Sequence, residues 1–235
     1  MISWKVGEAV SRRRVDLLII ASMAALYGFT AFQRAAIPGT IFNELQTDFK
    51  ASATDIALLA SLYLCIYGGM QIFSGVAADR FGSKKVVLVG GALLSAGCIL
   101  FPLSHSLFTL FAFRCLIAFG GSLLFLSVIK ELDLRFSDKH FPALVGAALF
   151  TGFAGGLFGT QPFERLVSHY GWRNPLMGVG IACFLVYISA AILTRNNTES
   201  KQSLGARSPI LPALKAIITN PKSLPVIFSH TTMWS

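Results

Sequence analysis

The sequence predicts an all-α polytopic membrane protein: the six-helix bundle of a 3+3 inverted repeat, followed by the start of a seventh helix. Three observations predict it. Apolar runs recur along all 235 residues, each near the length of about 20 residues that a helix needs to cross a bilayer. Hydrophobic residues make up 54% of the chain and charged ones 13%, with mean hydropathy +0.65, whereas a soluble domain carries about 25% charge. The basic residues sit between the runs and alternate in number from one side to the other.

That alternation sets the topology. Loops assigned to the inside hold Lys5, Arg12, Arg13 and Arg14, then Arg80, Lys84 and Lys85, then Lys130, Arg135 and Lys139, and finally Arg195, Lys201, Arg207, Lys215 and Lys222. Loops assigned to the outside hold Lys50, Arg165 and Arg173 alone. The expected arrangement is a multi-pass protein of the inner or plasma membrane with a cytoplasmic N-terminus. The net charge of +9 is spread over these loops and not gathered in one patch, which argues against nucleic acid as a partner.

Residues 1–16 read as a basic cytoplasmic lead-in and residues 17–194 as the six-helix bundle. Span 1 covers about 17–42, bending at Pro38-Gly39, and the acidic stretch Asn43 to Lys50 reads as an external loop. Ser52-Ala53-Thr54-Asp55 supplies N-caps for span 2, about 55–76. Span 3 covers about 85–103 and span 4 about 106–129, joined by Ser104-His105-Ser106. An inner loop over 130–140 carries both charge signs, so Glu131, Asp133 and Asp138 are expected in solvated ion pairs. Span 5 covers about 142–163, an external segment runs to Pro175, and span 6 covers about 174–194. Residues 195–220 form a polar cytoplasmic linker whose 212–219 part is amphipathic. Residues 221–235 read as a seventh span that begins and is cut short.

Several residues carry candidate chemistry. Arg34 in span 1 and Arg114 in span 4 are intramembrane charges, each followed three residues later by isoleucine. This match hints at the inverted three-plus-three repeat of secondary transporters. A guanidinium in mid-bilayer costs at least about 2.5–3.5 kcal/mol unless it meets a cavity or a partner. Either the two groups line a path and bind an anionic solute, or they snorkel outward or pair with Glu44 or Glu164. Gln71, Tyr67, Tyr63 and Gln161 are polar groups within spans, expected to bond across helices, with Gln71 and Tyr67 also candidates for the solute path. Gly68-Gly69, Gly90-Gly91, Gly97, Gly120-Gly121 and the span 5 glycines 146, 152, 155, 156 and 159 fall at helix-contact spacing. The four cysteines, Cys65, Cys98, Cys115 and Cys183, lie inside apolar runs without metal-ligand spacing and read as small buried hydrophobes. Metalloprotease, serine-hydrolase and nucleotide-binding motifs are absent from the sequence, so neither an enzyme nor a cofactor is expected.

The segment Gly75-Val76-Ala77-Ala78-Asp79-Arg80-Phe81-Gly82-Ser83-Lys84-Lys85 resembles the signature loop between helices 2 and 3 of the major facilitator superfamily. Ser83 stands where that pattern usually has a basic residue. Arg114, followed by Ala118 and Gly120, is similar to the family's fourth-helix arginine–glycine motif, and Gly171-Trp172-Arg173 is common before its sixth helix. The resemblance implies alternating access between two six-helix bundles. Gly75, Asp79, Arg80, Gly82, Lys84 and Lys85 would then form a gating loop, with Asp79 meeting a helix N-terminus of the second bundle. Tyr27, Arg34 and Pro38 with Tyr67 and Gln71 resemble the anion:cation symporter and organophosphate antiporter branch. In that branch a first-helix arginine binds the anion. Gln71 replaces the lysine of phosphate-selective members, which admits carboxylates equally.

The expected function is secondary transport of a small organic anion, a carboxylate or a phosphate ester, by symport or antiport with a proton or other ion. The solute would bind at Arg34, Arg114, Gln71 and Tyr67. The expected partners are the bilayer, the solute, the coupling ion and either a C-terminal half or a second copy. Two alternatives stand beside this reading: a truncated fragment that inserts without transporting, and a six-helix half that dimerises to rebuild a carrier.

Overall fold

The computed structural model describes residues 2–136 and 139–196, and the side chains of 14–71, 73–136 and 139–195. The linker beyond Asn196, the partial seventh span and Asp138 lie outside the described residues. Among the described residues, six helical stretches are long and apolar enough to span a membrane.

The first runs without interruption as α1, Ile2–Ala36, so the basic lead-in is helical and continuous with the span. Pro38 stops it, having no N–H to continue the ladder. A 3₁₀ turn, Gly39–Ile41, then leads into α2, Phe42–Phe49. The expected external loop is therefore mostly this short helix, ended by Lys50 in the left-handed conformation.

Helix α3, Ala53–Phe81, starts at a capping box. The Ser52 hydroxyl accepts from Asp55 N–H at 3.1 Å and the Asp55 carboxylate accepts from Ser52 N–H at 2.9 Å. It then runs five residues past the expected end, through Asp79 and Arg80. Helix α4, Ser83–Leu100, follows at once. The expected charged loop is thus two helix ends joined by Gly82 alone, at φ 86°. This conformation suits a residue without Cβ.

A 3₁₀ turn, Phe101–Leu103, ends span 3, and a second capping box at Ser106 and Thr109 opens α5, Leu107–Ser122. The chain breaks at Leu123 and continues as α6, Leu124–Arg135, so the expected inner loop is helical through Arg135. Span 5 is likewise two pieces, α7, Phe141–Phe158, and α8, Gln161–Tyr170, with Gly159 and Thr160 between them. Helix α9, Arg173–Asn196, is span 6.

Helix α1 is central and packs on α7, α9 and α6, while α4 packs on α5 and α9 and α3 on α5. Small residues set the closest approaches. A Cβ on Gly159 would lie 2.8 Å from Phe32 O, one on Gly90 2.8 Å from Gly120 O, and one on Gly152 or Gly155 would run into Tyr27 or Gly28. The α1–α7 seam therefore uses Gly152, Gly155 and Gly159. Gly68, Gly69 and Gly146 would meet nothing within 4 Å and make no helix contact here.

Candidate functional site

The break in α1 organises the first group of residues. With Pro38 in the chain, Ile41 N–H bonds to Pro38 O, one residue short of the helical partner, and Ile37 O is left for another donor. Arg114 of α5 supplies it. Its Nη2 donates to Ile37 O and its Nη1 donates to Gln33 O at 3.0 Å. The guanidinium carbon lies 4.2 Å from the centroid of the Tyr63 ring. A side chain only 1% exposed thereby keeps its charge matched by two carbonyls and an aromatic face, with Nε alone unpartnered. Neither snorkelling nor pairing with Glu44 or Glu164 describes Arg114: it is enclosed, and its partners are backbone oxygens.

From Tyr63 the contacts continue along α3. Its hydroxyl donates to Thr30 O at 3.4 Å, and its ring stacks on Tyr67 with centroids 5.8 Å apart and planes 13° from parallel. Gln71 lies one turn further along α3 than Tyr67, on the same face. The half-buried Arg34 places its charge within electrostatic reach of Tyr27, Tyr63 and Tyr67. Arg34 of α1 thus lies within electrostatic reach of Tyr67 of α3, with Tyr27 and Tyr63 in the same reach and Gln71 one turn beyond Tyr67. Arg114 sits behind Tyr63. Tyr63, read from the sequence only as a cross-helix bond, links the two arginines. Its signal was the spacing of four to Tyr67, which puts both rings on one face of α3. Gln161 does not join the group; it is exposed in the first turn of α8.

A second group forms at the end of the bundle where α1 begins. Ser83, in the first turn of α4, donates to Glu131 Oε1 at 2.5 Å. Arg135 Nε donates to Glu131 Oε2 at 2.8 Å, and Arg135 Nη1 pairs with Asp16 of α1. Lys84 lies within electrostatic reach of Asp16, Glu131 and Arg135. Two carboxylates and two cations therefore balance in a cluster whose Glu131 and Arg135 side chains are buried and whose Asp16 and Lys84 are half-buried. Glu131 is 0% exposed, which corrects its expected place in a solvated loop. Burial of this kind requires a partner for each charge. Asp79, 73% exposed at its side chain, pairs with Lys130 of α6, inside this bundle. Arg80 and Lys85 are exposed.

The opposite end is held by Trp172 and Arg173. Trp172 Nε1 donates to Asp48 Oδ2 at 2.8 Å, and Arg173 Nη1 donates to Pro102 O at 2.7 Å and Ser104 O at 2.8 Å.

Comparisons with known proteins agree with this architecture. The model of the Major Facilitator Superfamily matches residues 23–235. Methyl viologen resistance protein SmvA of Salmonella typhimurium is 22% identical over 205 residues, 85% of this chain and 41% of SmvA. Monocarboxylate transporter 2 of Mesocricetus auratus is 30% identical over 203 residues, 81% of this chain and 40% of that protein. Among solved structures, the peptide transporter POT in complex with alafosfalin gives a TM-score of 0.67 at 17% identity, over 95% of this chain and 47% of that one; this likeness concerns the fold. The chain spans less than half the length of these relatives. It belongs to the Major Facilitator Superfamily.

Proposed function

We propose that the complete carrier moves a small organic anion, preferentially a carboxylate, by alternating access. The observation that carries this reading is that Arg34 of α1 lies within electrostatic reach of Tyr27, Tyr63 and Tyr67, with Gln71 one turn beyond Tyr67 on α3. A guanidinium with phenol and amide donors around it suits a carboxylate. The name of the monocarboxylate transporters supports the same solute class. In this reading Arg34 anchors the anion, Tyr67 and Gln71 shape the site, and Arg114 is a positioning residue that fixes the end of α1. The clustered cations at the α3–α4 junction support a cytoplasmic side for that end and for the N-terminus. Gly75, Asp79, Arg80, Gly82, Lys84 and Lys85 gate from that side, and a proton or other ion drives the cycle. The second six-helix bundle comes from a C-terminal half or another copy of this chain.

SmvA favours a second reading, in which the solute is an organic cation. One assay separates the two. Proteoliposomes holding the complete carrier are offered radiolabelled monocarboxylates, phosphate esters and methyl viologen. Uptake of carboxylates, abolished by Arg34→Ala with insertion intact, is the expected result. Uptake of methyl viologen alone, or carboxylate kinetics untouched by Arg34→Ala, would overturn the assignment.

A further inference from the structure

Two glycines fix the register of α4 against α9. A Cβ on Gly91 would lie 3.0 Å from the Tyr187 ring, and one on Gly180 would lie 2.8 Å from Cys98 O. Cys98 follows Gly91 by two turns and Gly180 precedes Tyr187 by two turns, so the helices run antiparallel. Two further turns of the same register bring Lys84 of α4 level with Thr194 of α9. Lys85 and Arg195, both exposed, therefore stand within a turn of one level, at the end of the bundle where α1 begins. Helix α4 opens there without a side-chain cap and without an acidic residue in its first turn. A lysine at a helix N-terminus opposes the dipole, and an anion beside it relieves both charges. The carboxylates of Asp16, Asp79 and Glu131 at this end are engaged by Arg135 and Lys130.

Inward from the two cations the surface turns apolar. Leu88 and Val89 follow Lys85 by one turn, and Ile192 and Ile188 precede Arg195 by one and two turns, each on the face of its cation. Val89 and Ile192 are more than half exposed. We propose that this rim of the α4–α9 groove binds an anionic phospholipid, its phosphate between Lys85 and Arg195 and an acyl chain along Leu88, Val89, Ile188 and Ile192. The guanidinium offers two parallel donors to phosphate oxygens and the ammonium a compact charge. A basic pocket between spanning helices, at the level where apolar surface gives way to polar, suits such a headgroup. A soluble phosphate would meet the same cations and gain nothing from the apolar side chains beneath them. Phosphatidylcholine brings its own cation to the site, so the two basic residues select a headgroup of net negative charge, such as phosphatidylglycerol.

The test uses the full chain in phosphatidylcholine nanodiscs doped with phosphatidylglycerol that carries a diazirine in one acyl chain. Illumination should place adducts on the peptides holding Leu88, Val89, Ile188 and Ile192, whereas diazirine-labelled phosphatidylcholine should mark the outer faces of the bundle without preference. Lys85→Gln and Arg195→Gln should each raise the mole fraction of phosphatidylglycerol that half-saturates this labelling about fivefold, and together about 25-fold. Lys85→Arg should restore the labelling, and Arg165→Gln, on α8 at the opposite end, should leave it unchanged. Both side chains of the site are exposed, so the thermal unfolding of the variants should match that of the parent. Inorganic phosphate in excess should not compete. Equal labelling of the groove by both lipids, labelling by phosphatidylglycerol untouched in the double variant, an equal loss in Arg165→Gln, or displacement by inorganic phosphate would each overturn the proposal.

Discussion

Arg114 and Tyr63 form a cation–π pair, guanidinium carbon 4.2 Å from ring centroid, at the point where the Arg114 nitrogens hold Gln33 O and Ile37 O. Three requirements of the break in α1 are met by one planar group: a donor for Ile37 O, a second bond to Gln33 O and a face to stack on. A lysine ammonium keeps the charge and loses the fork geometry. Arg114→Lys should therefore destabilise the bundle by about 1–3 kcal/mol, the cost of leaving a buried carbonyl unmet. Thermal unfolding in detergent reads this directly. In the complete carrier the same variant should lower the folded fraction and leave the apparent affinity of folded molecules for solute near wild type. Unchanged unfolding with a KM raised tenfold would make Arg114 a ligand of the solute instead.

The buried Ser83–Glu131 bond makes a graded prediction. Glu131→Ala leaves Arg135 with Asp16 alone and Ser83 without an acceptor, and breaking a buried pair in this way costs about 3–5 kcal/mol. Ser83→Ala removes one donor to a carboxylate that keeps its bond from Arg135, so the loss should be about 1–3 kcal/mol. If the two residues act through one contact, the double variant should lose less than the sum. A chemical-unfolding series on the four proteins measures the coupling, and strictly additive losses would separate the two residues.

These contacts also show which parts of the molecule were legible in the sequence. The six apolar runs declare themselves because hydrocarbon admits helices and excludes exposed backbone polar groups. The Ser52–Asp55 box is legible because both partners lie within one turn. The helical ends through Asp79 and Arg80, and through Glu131 and Arg135, were read as loops because charged residues at a membrane surface carry no apolar period. The burial of Glu131 depends on Ser83, 48 residues away, and on Arg135, whose other partner, Asp16, lies 119 residues from it. Arg34, Tyr67 and Gln71 were chosen as polar groups in apolar runs, and Arg34 lies within electrostatic reach of Tyr67. Arg114 was chosen on the same ground, but its partners are backbone carbonyls, which leave no trace in residue type.

The glycines divide into two classes that mutation should separate. Gly155 lies so close to the Gly28 backbone that any Cβ must push α7 off α1. Gly155→Ala should cost about 1–3 kcal/mol, the range for overpacking. Gly68 meets nothing within 4 Å inside α3, so Gly68→Ala should hold or raise stability by up to about 1 kcal/mol through helix propensity. A thermal-shift comparison of the two variants in one detergent tests the seam; equal losses would contradict it.

The clasp at the far end is readable by fluorescence. Trp172 is 4% exposed, with Phe49 and Phe101 rings within 6.3 Å of its own and its indole N–H given to Asp48. With Trp4→Phe and Trp234→Phe, the remaining indole reports this corner alone. Asp48→Asn keeps an acceptor oxygen and should leave the emission near that of the parent. Asp48→Ala removes the acceptor, leaves a largely buried donor unmet at a cost of about 1–3 kcal/mol, and also deprives Arg173 of the carboxylate 3.7 Å away. The expected readout is a red-shifted emission and faster quenching by acrylamide, as water reaches the indole that Asp48 had satisfied. Arg173 should hold the corner partly in place through Pro102 O and Ser104 O, so the larger shift belongs to Asp48→Ala combined with Arg173→Ala. A double variant no more exposed than Asp48→Ala would show that the two residues secure the corner by one contact and not two.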